Sequence, residues 1–363
     1  MLFAPPGDPP KNQVVRAAGD RFPEWRKKTM KHILWISSCA SRDQGGGIYA
    51  YTLSDDGIFA QIELLPVDLP MYSVLAGTDL YVLQRELSGG ESGVFRVAVR
   101  ADGTFGTPSE AVTTHGVVAC HLTVEQGEVY AVNYLSGSVV RIPDRVVSYE
   151  GHGIHPDRQE ASHTHCVILS PDRRYVLVAD LGLDCVHVLD RELNEISRAS
   201  VPAGSGARHL VFSPDGTTLF CVNELSSTVS VFAWEPSRGR LTYRESFGSD
   251  VSPEFAPMNY AAAIRISHDG KKLYISNRGE DTVVVYSVGE NGRLSLVQKV
   301  SCRGRGPRDF QLSPDERFLV CTNLDSDSVT AFRLRDGMID SVTDSIRLPS
   351  PLCVTFSDPK RST

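Results

Sequence analysis

Five residues hold the chemistry this sequence offers: His165, Arg208, Glu224, Arg278 and Arg308. Arg208 opens the run "RHLVFSPDGTTLFCVNELSSTVSVF", and Glu224 stands sixteen residues further on, after the second apolar stretch. Two alternating runs around a Ser-Pro-Asp-Gly turn read as a β-hairpin. A hairpin returns the chain to the side from which it started, so the guanidinium and carboxylate end up beside each other on strands about 5 Å apart. Such a pair is either a structural ion pair or part of a site for an anion.

The same template occurs in "HCVILSPDRRYVLVADLGLDCVHVLD", "AAIRISHDGKKLYISNRGEDTVVVYSV" and "RDFQLSPDERFLVCTNLDSDSVTAFRL". The turn serines Ser170, Ser213, Ser267 and Ser313 lie 43, 54 and 46 residues apart. Ten residues after them come Asp180, Asn223, Asn277 and Asn323, and a shorter copy ends on Asn133. Five residues before the serines stand His165, Arg208, Ala262 and Arg308; just after the second run stand Glu224 and Arg278. One rim of the repeat therefore collects an imidazole, three guanidiniums and one carboxylate, which suits an anionic small molecule. Asp180 and Asn223 are candidate substrate-binding residues with Arg308, although their recurrence in every copy also fits a role in satisfying backbone groups. The loop "GHGIHPDRQEASHTHC" (151–166) is expected to wall the pocket, adding Arg158 and His163 to the substrate-binding candidates. His163 and His165, two apart, share a face if the strand is regular. Imidazoles also bind metals, but no closed Cys/His spacing accompanies these, and no metal is assigned.

What must position these residues is a repeat of four antiparallel strands about every 45 residues, the signature of propeller blades. Seven leading strands can be counted, from "MYSVLA" to the C-terminal "LCVTFS". That last strand has no partner after it, while "KHILWIS", "GIYAYTL" and "AQIELL" lack a leader. Pairing the two chain ends in one blade closes the ring and hides both edges. The expected architecture is thus all-β, a single seven-bladed β-propeller with four-stranded antiparallel blades over residues 30–363. The Pro- and charge-rich residues 1–29 read as a disordered tail.

Composition narrows the function classes. Lys and Arg total 37 against 44 Asp and Glu, a net charge of −7 with no basic block, which argues against a nucleic-acid partner. No apolar run approaches the length of a membrane span, so no membrane association is expected. The 8 cysteines are scattered without a C-x-x-C pair and read as buried thiols in a reducing, cytoplasmic setting.

The stretches "RQEASHTHCVILSPD", "VADLGLD", "RHLVFSPDG…VNE", "SNR" and "GPRDFQLSPD" together resemble the seven-bladed-propeller lactonases, the group containing bacterial 6-phosphogluconolactonase and fungal carboxymuconate cyclase. The resemblance covers nearly everything after Met30. It implies hydrolysis of a small anionic sugar lactone, 6-phosphoglucono-1,5-lactone in the pentose phosphate pathway, without metal or organic cofactor. By motif, the family's catalytic His, Arg, Glu and Arg fall on His165, Arg208, Glu224 and Arg278. In the second blade the usual "NPSYL" appears as "LPMYS" and the following "NE" as "QRE" (Gln84–Glu86), a departure that bears on the substrate contacts of that blade and not on the core constellation. His165 is expected to be the general base, with a pKa near the working pH. Arg208 or Arg278 would stabilise the oxyanion, and Glu224, its pKa lowered by Arg208, would orient Arg208 or the water. A carboxymuconate-type enzyme is one rival. A non-catalytic binding propeller is another, and it calls for an apolar rim with aromatic anchors.

Overall fold

Second strands such as Tyr175–Asp180 and Thr218–Asn223 are buried at every residue, whereas the outer strand Arg240–Gly248 is mostly open to solvent. Sheets stacked face to face around an axis produce this gradient, since second strands are covered on both faces and paired on both edges, whereas an outer strand is paired on one edge and leaves the other open. A computed structural model describes residues 32–357. They form seven four-stranded sheets, and the expected tail at 1–29 lies outside the described residues.

Blade one joins Pro351–Phe356 to His32–Ser38, Gly47–Leu53 and Phe59–Pro66. Leu34 pairs with Phe356 and Ile36 with Val354, so the two chain ends close the ring in one sheet. Blades two to seven begin with Pro70–Ala76, Ala119–Glu125, Thr164–Leu169, Ala207–Phe212, Tyr260–Ile266 and Pro307–Leu312. These leading strands touch one another in sequence around the central axis.

Each neighbouring pair of blades shares an apolar cluster. Leu177 and Val186 of blade four, for example, pack with Leu219 and Phe232 of blade five, and Val320 of blade seven with Leu34 and Val354 of blade one. The Ser-x-Asp turns have a local cause. Ser213 Oγ donates to Asp215 at 2.5 Å and accepts from the Thr218 amide at 3.0 Å, and Ser170, Ser267 and Ser313 do the same with their own partners. No helix among the described residues is long and apolar enough to cross a membrane.

Candidate active site

The rim residues reach the axis through a repeated irregularity. In each leading strand the register slips by a residue near its start. Ala119 pairs with Asn133 and His121 with Val132, leaving Cys120 without a partner. The same slip leaves Met71, His165, Arg208, Arg308 and Leu352 unpaired, and in blade six it sets Ala262 and Ala263 against Ser276. A β-bulge turns its extra residue out of the pleat. Here that residue faces the channel.

The second contribution comes, in four blades, from the residue that follows the strand-end Asn or Gln: Arg85, Tyr134, Glu224 and Arg278. With Arg158 and Tyr260 they complete a cavity of about 390 Å³ at one mouth, floored by Met71, Cys120, His165 and Arg308. This falls within the roughly 300–1,000 Å³ typical of small-ligand sites. Arg208 lies one layer deeper, around a void of about 20 Å³ shared with His165, His209, Arg308 and Asp309.

Glu224 is the hub. Its Oε2 accepts from Arg208 Nε at 2.8 Å and lies 2.8 Å from Arg278 Nη2, while Oε1 accepts from Arg158 Nη2 at 2.6 Å. Arg208 also donates from Nη1 to the Ala262 carbonyl at 2.6 Å, which the small bulge residues of blade six leave open to it. Burial alone would raise the Glu224 carboxyl, but Arg278, Arg208 and Arg158 outweigh it and hold it well below the usual carboxylate range. Arg208 shifts down as well, to about 9, because burial and then the Arg278 charge disfavour its cation more than Glu224 favours it. It remains charged at neutral pH.

His165 departs from expectation. Burial, and then Arg208, push its pKa well below the ordinary value rather than leaving it near neutrality. The ring is therefore an uncharged imidazole. Its Nδ1 is buried without a hydrogen-bond partner, and its edge meets Tyr134 and His209 at centroid distances of 5.6 and 5.3 Å.

Three substrate-binding candidates do not line the cavity. Asp180 is fully buried, accepting from Ser162 Oγ at 2.5 Å and from the His163 and Leu183 amides at 3.0 Å. Asn223 donates to Thr228 and Ser230, both at 2.8 Å, and ties its strand to the next. His163 stacks on Tyr134 at 4.5 Å and bonds Glu160 and the Tyr134 carbonyl, each at 3.0 Å. It does not share a face with His165, because the bulge between Thr164 and Cys166 breaks the alternation. Arg158 and Arg308 do line the cavity. Arg85, Tyr134 and Tyr260 also line it, and the repeat template does not single them out. Arg85 and Tyr134 hold the template position of Glu224, and Gln84 in place of Asn hid the first of them. Tyr260 lies beneath the guanidiniums of Arg158 and Arg278, 5.4 and 5.9 Å from its centroid.

Residues 33–356 match the family described as "Lactonase, 7-bladed beta-propeller". A 6-phosphogluconolactonase of Bacillus subtilis is 29% identical over 346 residues, covering 89% of this chain and 98% of that one. Among solved structures, a Lactobacillus plantarum protein superposes with TM-score 0.83 at 31% identity, covering 90% of this chain and 100% of its own. The periplasmic gluconolactonase of Pseudomonas aeruginosa gives 0.82 at 26%, covering 91% and 100%. With the ring, its closure and the match over nearly its whole length in agreement, this chain belongs to the seven-bladed β-propeller lactonase family.

Proposed function

We propose that the protein hydrolyses 6-phosphoglucono-1,5-lactone to 6-phosphogluconate at this channel mouth. The carrying observation is an uncharged, uncommitted imidazole beside a carboxylate ringed by three guanidiniums. Water adds to the lactone carbonyl as its proton passes to His165, forming the C–O bond and a tetrahedral oxyanion. Both Arg208 and Arg278 bind Glu224 and backbone carbonyls, but Arg278 lies on the cavity wall and stabilises that charge, whereas Arg208 lies one layer deeper and fixes the hub. Collapse breaks the ring C–O bond, and the departing alkoxide takes the proton back from His165. The acid product then ionises.

A weakly basic His165 is a poor base in the free enzyme. The substrate's phosphate supplies negative charge that offsets the arginines and raises the imidazole pKa on binding. A binding platform is less well supported, because the exposed apolar side chains of the loops around the mouth (Val117, Leu135, Ile154, Met258) are aliphatic rather than aromatic. A cytoplasmic setting is part of the proposal, consistent with 8 free thiols.

The test is the rate on 6-phosphoglucono-1,5-lactone, corrected for spontaneous hydrolysis, for His165→Ala and Arg278→Ala. Loss of a base or an oxyanion donor predicts roughly 100- to 1,000-fold slower turnover. Full activity in both folded variants removes the proposal.

A further inference from the structure

The guanidiniums of the mouth divide into two groups. Arg158, Arg208 and Arg278 share Glu224. Arg85 and Arg308 line the same cavity but make no ion pair with a carboxylate among the described residues. Arg308 is the bulged residue of blade seven and Arg85 follows the second strand of blade two. These blades flank blade one, across the axis from Glu224 in blade five. The wall between them is soft and apolar, with Cys39 Sγ 3.2 Å from Met71 Sδ, and the Cys39 thiol feels both cations. Burial and then Arg278 disfavour the Arg308 charge, Glu224 opposes them only in part, and no hydrogen bond to its guanidinium offsets this among the described residues. A partly buried cation without a partner is unfavourable for the empty protein. An anion in the cavity would relieve it.

We infer that Arg85 and Arg308 seat the phosphoryl group of the substrate and set the preference for a phosphorylated over an uncharged lactone. This rests on the lactonase reading above. Two cations without an ion-pair partner match the roughly −1.5 to −2 of a phosphate monoester at neutral pH, while a single carboxylate would leave one of them unmatched. Seated there, the phosphate leaves the lactone ring toward Glu224, Arg278 and His165, which divides the arginines between holding and chemistry.

Calorimetric titration with inorganic phosphate, and separately with 6-phosphogluconate, reads the seat without turnover. The unmutated protein should bind both, and Arg85→Ala and Arg308→Met should each weaken binding about 10-fold or more. No binding by the unmutated protein, or affinity in the two variants equal to that of the unmutated protein, overturns the inference. In kinetics, the ratio of kcat/KM for 6-phosphoglucono-1,5-lactone to that for glucono-1,5-lactone should fall about 10-fold or more in each variant, chiefly through KM. An unchanged ratio also overturns it. An unmutated protein that binds phosphate yet opens neither lactone would defeat the lactonase reading while leaving the anion seat standing. In phosphate-free buffer Arg308→Met should melt no lower than the parent, since an unpaired charge is gone; a lower Tm marks a structural arginine instead. Arg85 is exposed, so Arg85→Ala keeps the test open even if Arg308→Met does not fold.

Discussion

At the scale of single residues, Glu224 and His165 explain each other. Glu224 collects three cations in a space where Arg208 has 2% of its side chain exposed, so the carboxylate is what permits the arginines to be there. Glu224→Gln should destabilise the fold by about 3–5 kcal/mol, because removing one partner strands buried charge on the others. Denaturant unfolding checks this, and an unchanged midpoint would mean that the arginines find other partners. For His165 the cation field works the other way. Burial, Arg208, Arg308 and Arg278 depress its pKa, and only Glu224 opposes them. In the proposed mechanism the neutral ring is the active form, so a depressed pKa would preserve activity as pH falls, until that pKa is reached. The acid limb of kcat/KM, which reports free enzyme, should therefore lie well below 6.5. A substrate phosphate seated in the cavity would relieve the field, so the acid limb of kcat should lie higher. Coincident limbs would show that the bound anion does not reach His165 electrostatically.

At the scale of elements, the bulge converts a sheet-forming strand into a wall that can carry chemistry. Strict alternation would send residues such as Arg208 and Arg308 into the apolar gap between blades, and the slipped register turns them toward the axis. The repeat was legible because Ser-x-Asp turns and strand-end amides leave a fixed mark in sequence. Ring closure was legible because one leading strand lacked followers and three followers lacked a leader. The bulge is not legible, since it changes pairing without changing composition, and this is why the spacing of His163 and His165 suggests a shared face that the structure does not have. Asp180 and Asn223 misled for a related reason: their recurrence reports hydrogen bonds that every blade needs. Arg158 depends on a different device. Its loop is pinned by the fully buried Gln159, whose Nε2 donates to the Leu181 carbonyl at 2.8 Å and whose Oε1 accepts from the His155 amide at 3.1 Å. Gln159→Ala should cost about 1–3 kcal/mol by leaving these groups unsatisfied, and it should raise KM as Arg158 loses its place. A KM equal to that of the parent would show that Arg158 is held without the loop anchor.

Over the whole molecule, blades three, four and five send His121, His165 and His209 to the axis, where His209 lies 5.3 Å from each of the other two rings. All are nearly fully buried. Burial, then Arg265 and Arg208, lower His121 to about 3; burial, then Arg208, holds His209 well below its ordinary value. Unfolded, each imidazole would titrate near 6.5. Below that pH the unfolded chain binds protons that the folded chain refuses, so stability is complete above about 6.5 and declines as the solution is acidified. Each histidine contributes a slope approaching about 1.4 kcal/mol per pH unit, or about 4 for the three together. Glu224 adds in the same direction at lower pH, because its depressed pKa gives stability that is present above about 4.3 and lost as pH falls further. Calorimetric melting between pH 7.5 and 5 should thus show Tm falling steeply at the acid end. His209→Met, which removes one titrating ring from the middle of the column, should flatten that fall by about a third. Parallel curves for variant and parent would mean that the ring at the centre of the propeller already carries its proton, and the depressed basicity assigned to His165 would lose its footing with it.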